Sequence, residues 1–143
     1  MTDRFQRRIE YLRISVTDRC NLRCTYCMPP QGVEAKRHDQ ILSLEEMARV
    51  AGAAVKLGVT KVRLTGGEPL VRKGILDLVR SIGAMEGVRD LGITTNGVLL
   101  GTMAGPLAEA GLRRVNVSLD TLREDRFHTL TRGGKLATVW EGI

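Results

Sequence analysis

The stretch YLRISVTDRCNLRCTYC (11–27) joins a strand-like segment to a cluster of thiols. Leu12, Ile14 and Val16 alternate with polar residues, and this period of two predicts a strand with one apolar face. The three cysteines of the chain, Cys20, Cys24 and Cys27, follow directly. A chain that uses cysteine nowhere else therefore concentrates its thiols in the loop after its first predicted strand.

Strand-like and helix-like segments alternate along the rest of the chain. In the helix-like segment 43–58, Ser43 and Glu46 form a capping-box pattern and Gly58 is a typical helix end. Successive β–α units predict a parallel sheet with right-handed crossovers. We predict strands at 11–17, 61–65, 89–94 and 113–119, and helices at 43–58, 74–85 and 103–110 with a last one beginning near Lys135.

The predicted strands are half polar, which a sheet covered by helices on both faces would not be. The side chains of the predicted strands therefore form two sets, which point to opposite faces of the sheet. The apolar set is Leu12, Ile14, Val16, Val62, Leu64, Leu91, Ile93, Val115, Val117 and Leu119, and the polar set includes Arg13, Arg63, Thr94, Asn116 and Ser118. We expect an α/β fold with all helices on the apolar face, a partial or open (β/α) barrel of about four β–α units, although ordinary exposed strand faces would give the same alternation.

Unusual loops follow all of these strands. They are the cysteine loop, GGEPL (66–70), TTNG (94–97) and SLDT (118–121). In parallel β/α folds, binding sites gather at the carboxyl ends of the strands. We therefore expect these loops to share one rim, with Asn96 as a turn residue and with the role of Asp120 open.

The cysteine loop is best explained as a metal site. Three cysteines cannot all pair as disulfides, and structural zinc sites normally have four ligands. His38 is one candidate for a fourth ligand, so zinc stays open. A [4Fe–4S] cluster fits better, because thiolates on three irons leave the fourth iron free to bind a small molecule.

Composition narrows the class of protein. The 143 residues suit a single domain. No apolar run reaches membrane-spanning length, and the charged amino terminus lacks the apolar region of a secretory signal. We therefore expect a cytoplasmic protein without a membrane partner. The formal net charge is +6, from 22 Lys plus Arg against 16 Asp plus Glu. Because the basic residues are scattered and aromatic residues are few, we favour a solvated basic surface over a nucleic-acid site.

CNLRCTYC resembles the cysteine signature of the radical S-adenosylmethionine (SAM) superfamily, whose fold is a full or partial β/α barrel. The resemblance implies that Cys20, Cys24 and Cys27 hold a [4Fe–4S] cluster and that SAM chelates its free iron. It also implies cofactor contacts. These come from Tyr26 through its backbone, from Gly66, Gly67 and Glu68 after the second strand, and from Ser118 after the fourth. From the residues alone, a strand-end hydroxyl that bonds a turn explains Ser118 equally well.

Longer segments resemble one family within this superfamily, the GTP 3′,8-cyclases of molybdenum cofactor biosynthesis. They are YLRISVTDRCNLRCTYCMPP, VRLTGGEPLVRK, LGITTNG and RRVNVSLDTL. The resemblance implies a lyase that converts GTP to (8S)-3′,8-cyclo-7,8-dihydroguanosine 5′-triphosphate, with Arg13, Arg63 and Thr94 binding GTP. Arginine pairs suit phosphate oxygens, although ion pairs with rim carboxylates would also explain Arg13 and Arg63.

The same resemblance predicts that residues 1–143 are the N-terminal part of the family's radical SAM core domain. The family's second cysteine triad has no counterpart here, so we expect one cluster and weak or no GTP turnover by this chain alone. A low-potential electron donor protein is an implied partner, and a homodimer is left open. The alternatives are another radical SAM enzyme that modifies a peptide or builds a cofactor, and a zinc- or cluster-stabilised basic module that binds nucleic acid.

Overall fold

The computed structural model describes residues 2–34, 36–37 and 40–143. His38, the candidate fourth zinc ligand, lies outside the described residues. The elements, in chain order, are β1 (Tyr11–Ser15), α1 (Leu44–Lys56), β2 (Lys61–Thr65), a 3-10 turn (Pro69–Val71), α2 (Ile75–Gly83), β3 (Asp90–Thr95), α3 (Leu100–Glu109), β4 (Arg114–Val117), α4 (Glu124–Thr131) and α5 (Leu136–Trp140).

The four strands form one parallel sheet in the order β1-β2-β3-β4, which confirms the predicted α/β fold. Each strand pairs in register with the next along the chain. Ile14 pairs with Leu64, and Leu64 pairs with Ile93. Because neighbours in sequence are neighbours in the sheet, the loops that follow the strands stand side by side along one rim, as predicted.

Helices α1, α2 and α3 cover the apolar face of the sheet. Val62, Leu64, Leu91 and Ile93 are almost completely buried in a core that α1 and α2 complete with Met47, Ala51, Ile75, Leu78, Val79 and Ile82. The predicted capping box begins α1, since Ser43 Oγ accepts from Glu46 N and Glu46 Oε2 accepts from Ser43 N. Burial of one face of each helix supplies most of the stabilisation, as is usual for short helices.

A row of four residues crosses the opposite face of the sheet. Arg13, Arg63, Gly92 and Arg114 are paired in register from β1 to β4. Because side chains on a strand alternate, these four positions point to the face opposite the core. Adjacent strands lie about 4.8 Å apart, so the Arg13 and Arg63 backbones are neighbours. Gly92 separates Arg63 from Arg114, whose guanidinium pairs with Asp90.

Two parts of the fold differ from the sequence-based expectation. The alternation of β4 predicts that Val115 faces the core, but Val115 is 36% exposed, because β4 is the last strand of the sheet within the described residues. Helix α4 was not predicted, since its sequence EDRFHTLT is mostly polar and its buried residues are only Phe127 and Thr131. Phe127 joins Leu22, Leu136 and Val139 in a second, smaller core beneath the cysteine loop.

Among the described residues, every helix is too short or too polar to cross a lipid bilayer.

Candidate cofactor site at the rim of the sheet

The cysteine loop follows β1 and is anchored on α4. Cys20 and Cys24 are half-buried against the second core, Cys27 is exposed, and all three are free thiols. The amides of Arg23 and Thr25 donate to Thr131 O and Leu130 O, at 3.2 and 2.8 Å. This anchoring explains why a polar helix is folded here, since α4 supplies both the apolar floor and the backbone partners of the loop.

Two arginines satisfy the carbonyl groups of the cysteine loop. Arg23 Nη1 donates to Cys20 O at 2.6 Å and to Leu22 O at 2.9 Å. Arg132 Nη1 donates to Arg23 O and to Met28 O, both at 2.7 Å. Sequence reasoning missed both residues, and the left-handed backbone of Arg132 (φ 54°) that brings its side chain to the loop has no sequence signal.

The three thiols share one neighbourhood, in which the pKa values of Cys20 and Cys24 are raised. Burial raises the pKa of Cys24, and the charges of Cys27 and then Cys20 raise it further. Burial is also the main reason why the pKa of Cys20 is raised. Within the described ranges, no three Cys, His, Asp or Glu side chains are close enough to hold a single metal ion. Three soft thiolates in one loop are a donor set that fits an iron–sulfur cluster.

The glycines of the second rim loop (66–70) lie directly against the backbone of the cysteine loop. Gly67 N donates to Thr17 O at 2.7 Å, and Glu68 N donates to Arg19 O at 2.8 Å. A Cβ atom at Gly66 would lie 2.5 Å from Thr17 O, and one at Gly67 would lie 2.3 Å from Arg19 O. The close approach that these glycines permit in the structure is thus between the two loops.

Glu68 connects the second rim loop to the third rim loop (94–97). Its carboxylate is buried, at 1% exposure. Oε1 accepts from Leu70 N at 3.0 Å and from Thr95 Oγ1 at 2.8 Å, and Oε2 accepts from Asn96 N at 2.7 Å. Three donors compensate the cost of burying this charge. Pro69, which follows, opens the 3-10 turn.

Asn96 connects the third rim loop to the cysteine loop. Its Oδ1 accepts from Val98 N at 3.1 Å, which is the turn role that the sequence predicts. Its Nδ2 also donates to Asn21 Oδ1 at 2.8 Å and to Cys20 Sγ at 3.8 Å. Sequence reasoning therefore found the turn but missed the contact with the thiol.

Tyr26 of the cysteine loop contacts the fourth rim loop (118–121). The exposed Tyr26 ring donates its hydroxyl to Asp120 Oδ2 at 2.7 Å, and this bond raises the pKa of Tyr26. Ser118 is exposed at the same rim, and its amide donates to Thr95 O at 2.8 Å. Asp120, whose role the sequence left open, here holds the cysteine loop against the loop that follows β4.

The polar face of the sheet carries the predicted substrate residues. Arg13 is exposed, while Arg63 and Thr94 are half-buried. Arg63 Nε is buried and has no hydrogen-bond partner in the described part of the chain, and its guanidinium lies 5.9 Å from the centre of the Tyr11 ring. Neither arginine is in an ion pair within those residues, so the carboxylate pairs considered as an alternative are not formed there.

Comparison with known protein families identifies the superfamily to which this chain belongs. The family model of the radical SAM superfamily matches residues 14–143. The chain belongs to the radical SAM superfamily. Membership implies a [4Fe–4S] cluster and SAM as cofactors, as the sequence resemblance predicted.

Two curated relatives of this radical SAM chain are both named GTP 3′,8-cyclase. A GTP 3′,8-cyclase of Pelotomaculum thermopropionicum is 61% identical over 143 residues, and one of Moorella thermoacetica is 56% identical over 143 residues. Both alignments cover 100% of this chain but 44% of the relative. The chain therefore spans less than half the length of these relatives.

Solved structures of other proteins share the radical SAM fold. Streptococcus suis SuiB bound to S-adenosylmethionine has a TM-score of 0.68 at 23% identity, over 92% of this chain and 28% of SuiB. BtrN in complex with AdoMet and 2-DOIA has a TM-score of 0.62 at 18% identity, over 94% of this chain and 55% of BtrN. Both comparisons confirm the fold.

We predict that Gly67→Ala displaces the cysteine loop of this radical SAM chain. The new Cβ would meet Arg19 O, Arg19 C and Asp18 O at 2.3, 2.7 and 2.8 Å, and these backbone atoms cannot move separately from the loop. Overpacking of this kind costs about 1–3 kcal/mol of unfolding free energy, measurable by urea denaturation.

The matched control is Gly52→Ala inside α1, where the new Cβ would have an ordinary contact of 3.8 Å with Met85 Cε. It is expected to raise the unfolding free energy by about 0.4–1 kcal/mol. Equal stabilities for the two variants would contradict the tight contact between the second rim loop and the cysteine loop.

Proposed function

We propose that this chain is the cluster- and SAM-binding part of a GTP 3′,8-cyclase of molybdenum cofactor biosynthesis. The observation that carries the proposal is the pair Arg13 and Arg63, adjacent in register on an open sheet face below a rim with three cysteines. The names of the curated relatives, which align with all of this chain, support the same activity. In this proposal residues 1–143 form the N-terminal part of the family's core domain.

The rim loops would hold the cofactors. Cys20, Cys24 and Cys27 would be the thiolate ligands of three irons, leaving one iron for SAM. When bound, the cluster supplies the electron that splits SAM into methionine and a radical able to remove hydrogen from a substrate. The residues of this chain would bind and orient both groups, and the second core beneath Cys20 and Cys24 would keep water away from the thiolate side.

The remaining cofactor contacts would come from Tyr26, Gly66, Gly67, Glu68 and Ser118. The backbone of Tyr26 would touch the adenine, and Ser118 is an exposed hydroxyl at the same rim. Both oxygens of the buried Glu68 carboxylate already accept hydrogen bonds from the chain. We therefore assign Glu68 mainly to positioning the loop, so that carbonyl oxygens of the glycine segment can accept from the methionyl ammonium.

The triphosphate of GTP would lie on the polar face of the sheet. Guanidinium groups bind phosphate oxygens with paired N–H donors, and Arg13 and Arg63 stand on adjacent strands. Arg63 Nε is a buried donor whose hydrogen bond a ligand could complete. Thr94 lies on the same face of β3, two residues nearer the rim than Gly92, and would add a hydroxyl contact.

The partners follow from this chemistry. A cluster that must be reduced needs a low-potential electron donor protein. We keep a cytoplasmic location and the absence of a nucleic-acid partner as predictions, and a homodimer as an arrangement to be tested by sedimentation.

Arg63→Ala is expected to weaken GTP binding by about tenfold to a hundredfold, because a charge-assisted hydrogen bond contributes roughly 1.5–3 kcal/mol. Cluster loading should not change, since Arg63 lies on the sheet face and not in the cysteine loop. Equilibrium dialysis with labelled GTP, alongside iron and sulfide quantification of the reconstituted chain, measures both.

Arg80→Ala is the control for lost positive charge, because Arg80 is an exposed residue of α2 paired with Asp77 at 2.8 Å. Its affinity for GTP should match that of the unchanged chain. A loss of cluster in Arg63→Ala, with GTP affinity retained, would show that this arginine serves the fold and not the substrate.

The reaction itself is tested by anaerobic incubation of the reconstituted chain with SAM, GTP and a chemical reductant. SAM cleavage that GTP stimulates supports the proposal, because weak or no formation of the cyclised nucleotide is expected from this chain alone. SAM cleavage that GTP does not stimulate, in both this chain and its longer relatives, would favour another radical SAM enzyme.

A further inference from the structure

The side chain of Asn96 has a defined partner at each of its polar atoms. Oδ1 accepts from Val98 N, and Nδ2 donates to Asn21 Oδ1 and to Cys20 Sγ. The backbone amide of Asn96 donates to the buried Glu68 carboxylate at 2.7 Å. This residue is therefore held from the second rim loop while its side chain holds the cysteine loop.

These contacts also determine which way the amide of Asn96 points. A rotated amide would place its NH₂ group against the N–H of Val98 and its oxygen against Asn21 Oδ1. Two donors or two acceptors facing each other are unfavourable, so the N–H groups point towards Asn21 and Cys20.

A hydrogen bond to a thiolate ligand has two consequences for a bound cluster. It fixes the orientation of the ligand, and it withdraws electron density from the sulfur, which stabilises the reduced state and raises the reduction potential. The Nδ2–Sγ separation of 3.8 Å in the described structure is long for such a bond, while the Asn21 bond at 2.8 Å is short. The shorter Asn21 contact therefore holds the loop, and the longer contact with sulfur is a separate donor contact to Cys20.

We propose that Asn96 is a positioning residue for the cluster: it holds the cysteine loop through Asn21, and its amide raises the reduction potential by donating to Cys20 Sγ. The inference rests on the proposed function, because it requires Cys20 to be a cluster ligand. Asn96 then acts on the reaction only through that ligand.

Two variants separate the two parts of this proposal. Asn96→Ala removes both donor contacts without adding charge, and Asn21→Ala removes the loop contact but keeps the donor to Cys20 Sγ. In the metal-free chain, we expect hydrogen–deuterium exchange of the amides in 18–28 to become faster in both variants. Unchanged exchange in both would overturn the positioning role.

The second measurement is the midpoint potential of the reconstituted cluster, followed by its paramagnetic signal during reductive titration. In Asn96→Ala, the ratio of reduced to oxidised cluster at a fixed potential should fall by about tenfold, equivalent to about 59 mV for one electron. Asn21→Ala should change this ratio less. An equal shift in the two variants, or none in Asn96→Ala, would overturn the direct contribution of the amide.

The outcome distinguishes this inference from the proposed function. An unchanged chain that binds no iron and sulfide would refute the cluster assignment, and the exchange measurement would still decide whether Asn96 holds the loop. A normally loaded chain whose potential is independent of residue 96 would refute the effect on the potential alone.

Discussion

Cys24→Ser is expected to leave a folded chain that no longer holds a [4Fe–4S] cluster and no longer cleaves SAM. Serine is close to cysteine in shape, and Cys24 is only half-buried at the margin of the second core, so the fold should lose little stability. The hydroxyl is a poor ligand for iron compared with a soft thiolate. Iron, sulfide and the visible absorbance of the reconstituted protein should fall to background, and SAM cleavage should fall with them.

Cys20→Ser and Cys27→Ser should behave in the same way, because a cluster with one free iron depends on all three thiolates. Thr25→Ser in the same loop is the control, since it alters an exposed side chain between two of the cysteines. SAM cleavage that survives any one of the cysteine replacements, at the rate of Thr25→Ser, would contradict the ligand assignment.

Glu68→Gln is expected to lower the unfolding free energy by about 2–4 kcal/mol. The buried carboxylate accepts from two backbone amides and the Thr95 hydroxyl. Glutamine offers one oxygen in place of two, and its NH₂ group must face a donor, which leaves a buried polar group unsatisfied. Urea denaturation should show a lower midpoint with little change in slope.

The same substitution should loosen the rim, because Glu68 connects the second rim loop to Asn96 and its own amide donates to Arg19 O. Exchange of the amides in 94–98 should therefore become faster in Glu68→Gln. Glu86→Gln, at an exposed position in the turn after α2, should change stability by no more than about 0.5 kcal/mol. Equal stability of the two variants would show that the buried carboxylate does not hold the rim together.

Strand positions and their faces were predictable because a side-chain period of two survives in any context. Ile14, Leu64 and Ile93 are buried as their alternation indicates, and the register places Arg13 beside Arg63. Helix α4 was not predictable from its own sequence, because its stability comes from the cysteine loop that packs on it and from the backbone bonds to Arg23 and Thr25.

The contacts between rim loops also could not be predicted from sequence patterns. Asn96 precedes a glycine, and that pair indicates a turn whatever lies nearby. Its bond to Asn21 joins residues that are 75 positions apart, and the Tyr26–Asp120 bond joins residues 94 positions apart. Such pairs become visible only when strand order brings the loops together.

Local spacing is enough to reveal that this chain alternates strands and helices, buries one sheet face and groups three thiols after its first strand. These features depend on neighbours within a few residues, which any reading of the sequence includes. The folded chain alone decides which groups surround those thiols: two arginines on the loop carbonyls, a buried carboxylate between two loops, and an amide directed at Cys20. Their positions depend on contacts between distant segments, whose geometry exists only once the sheet has formed.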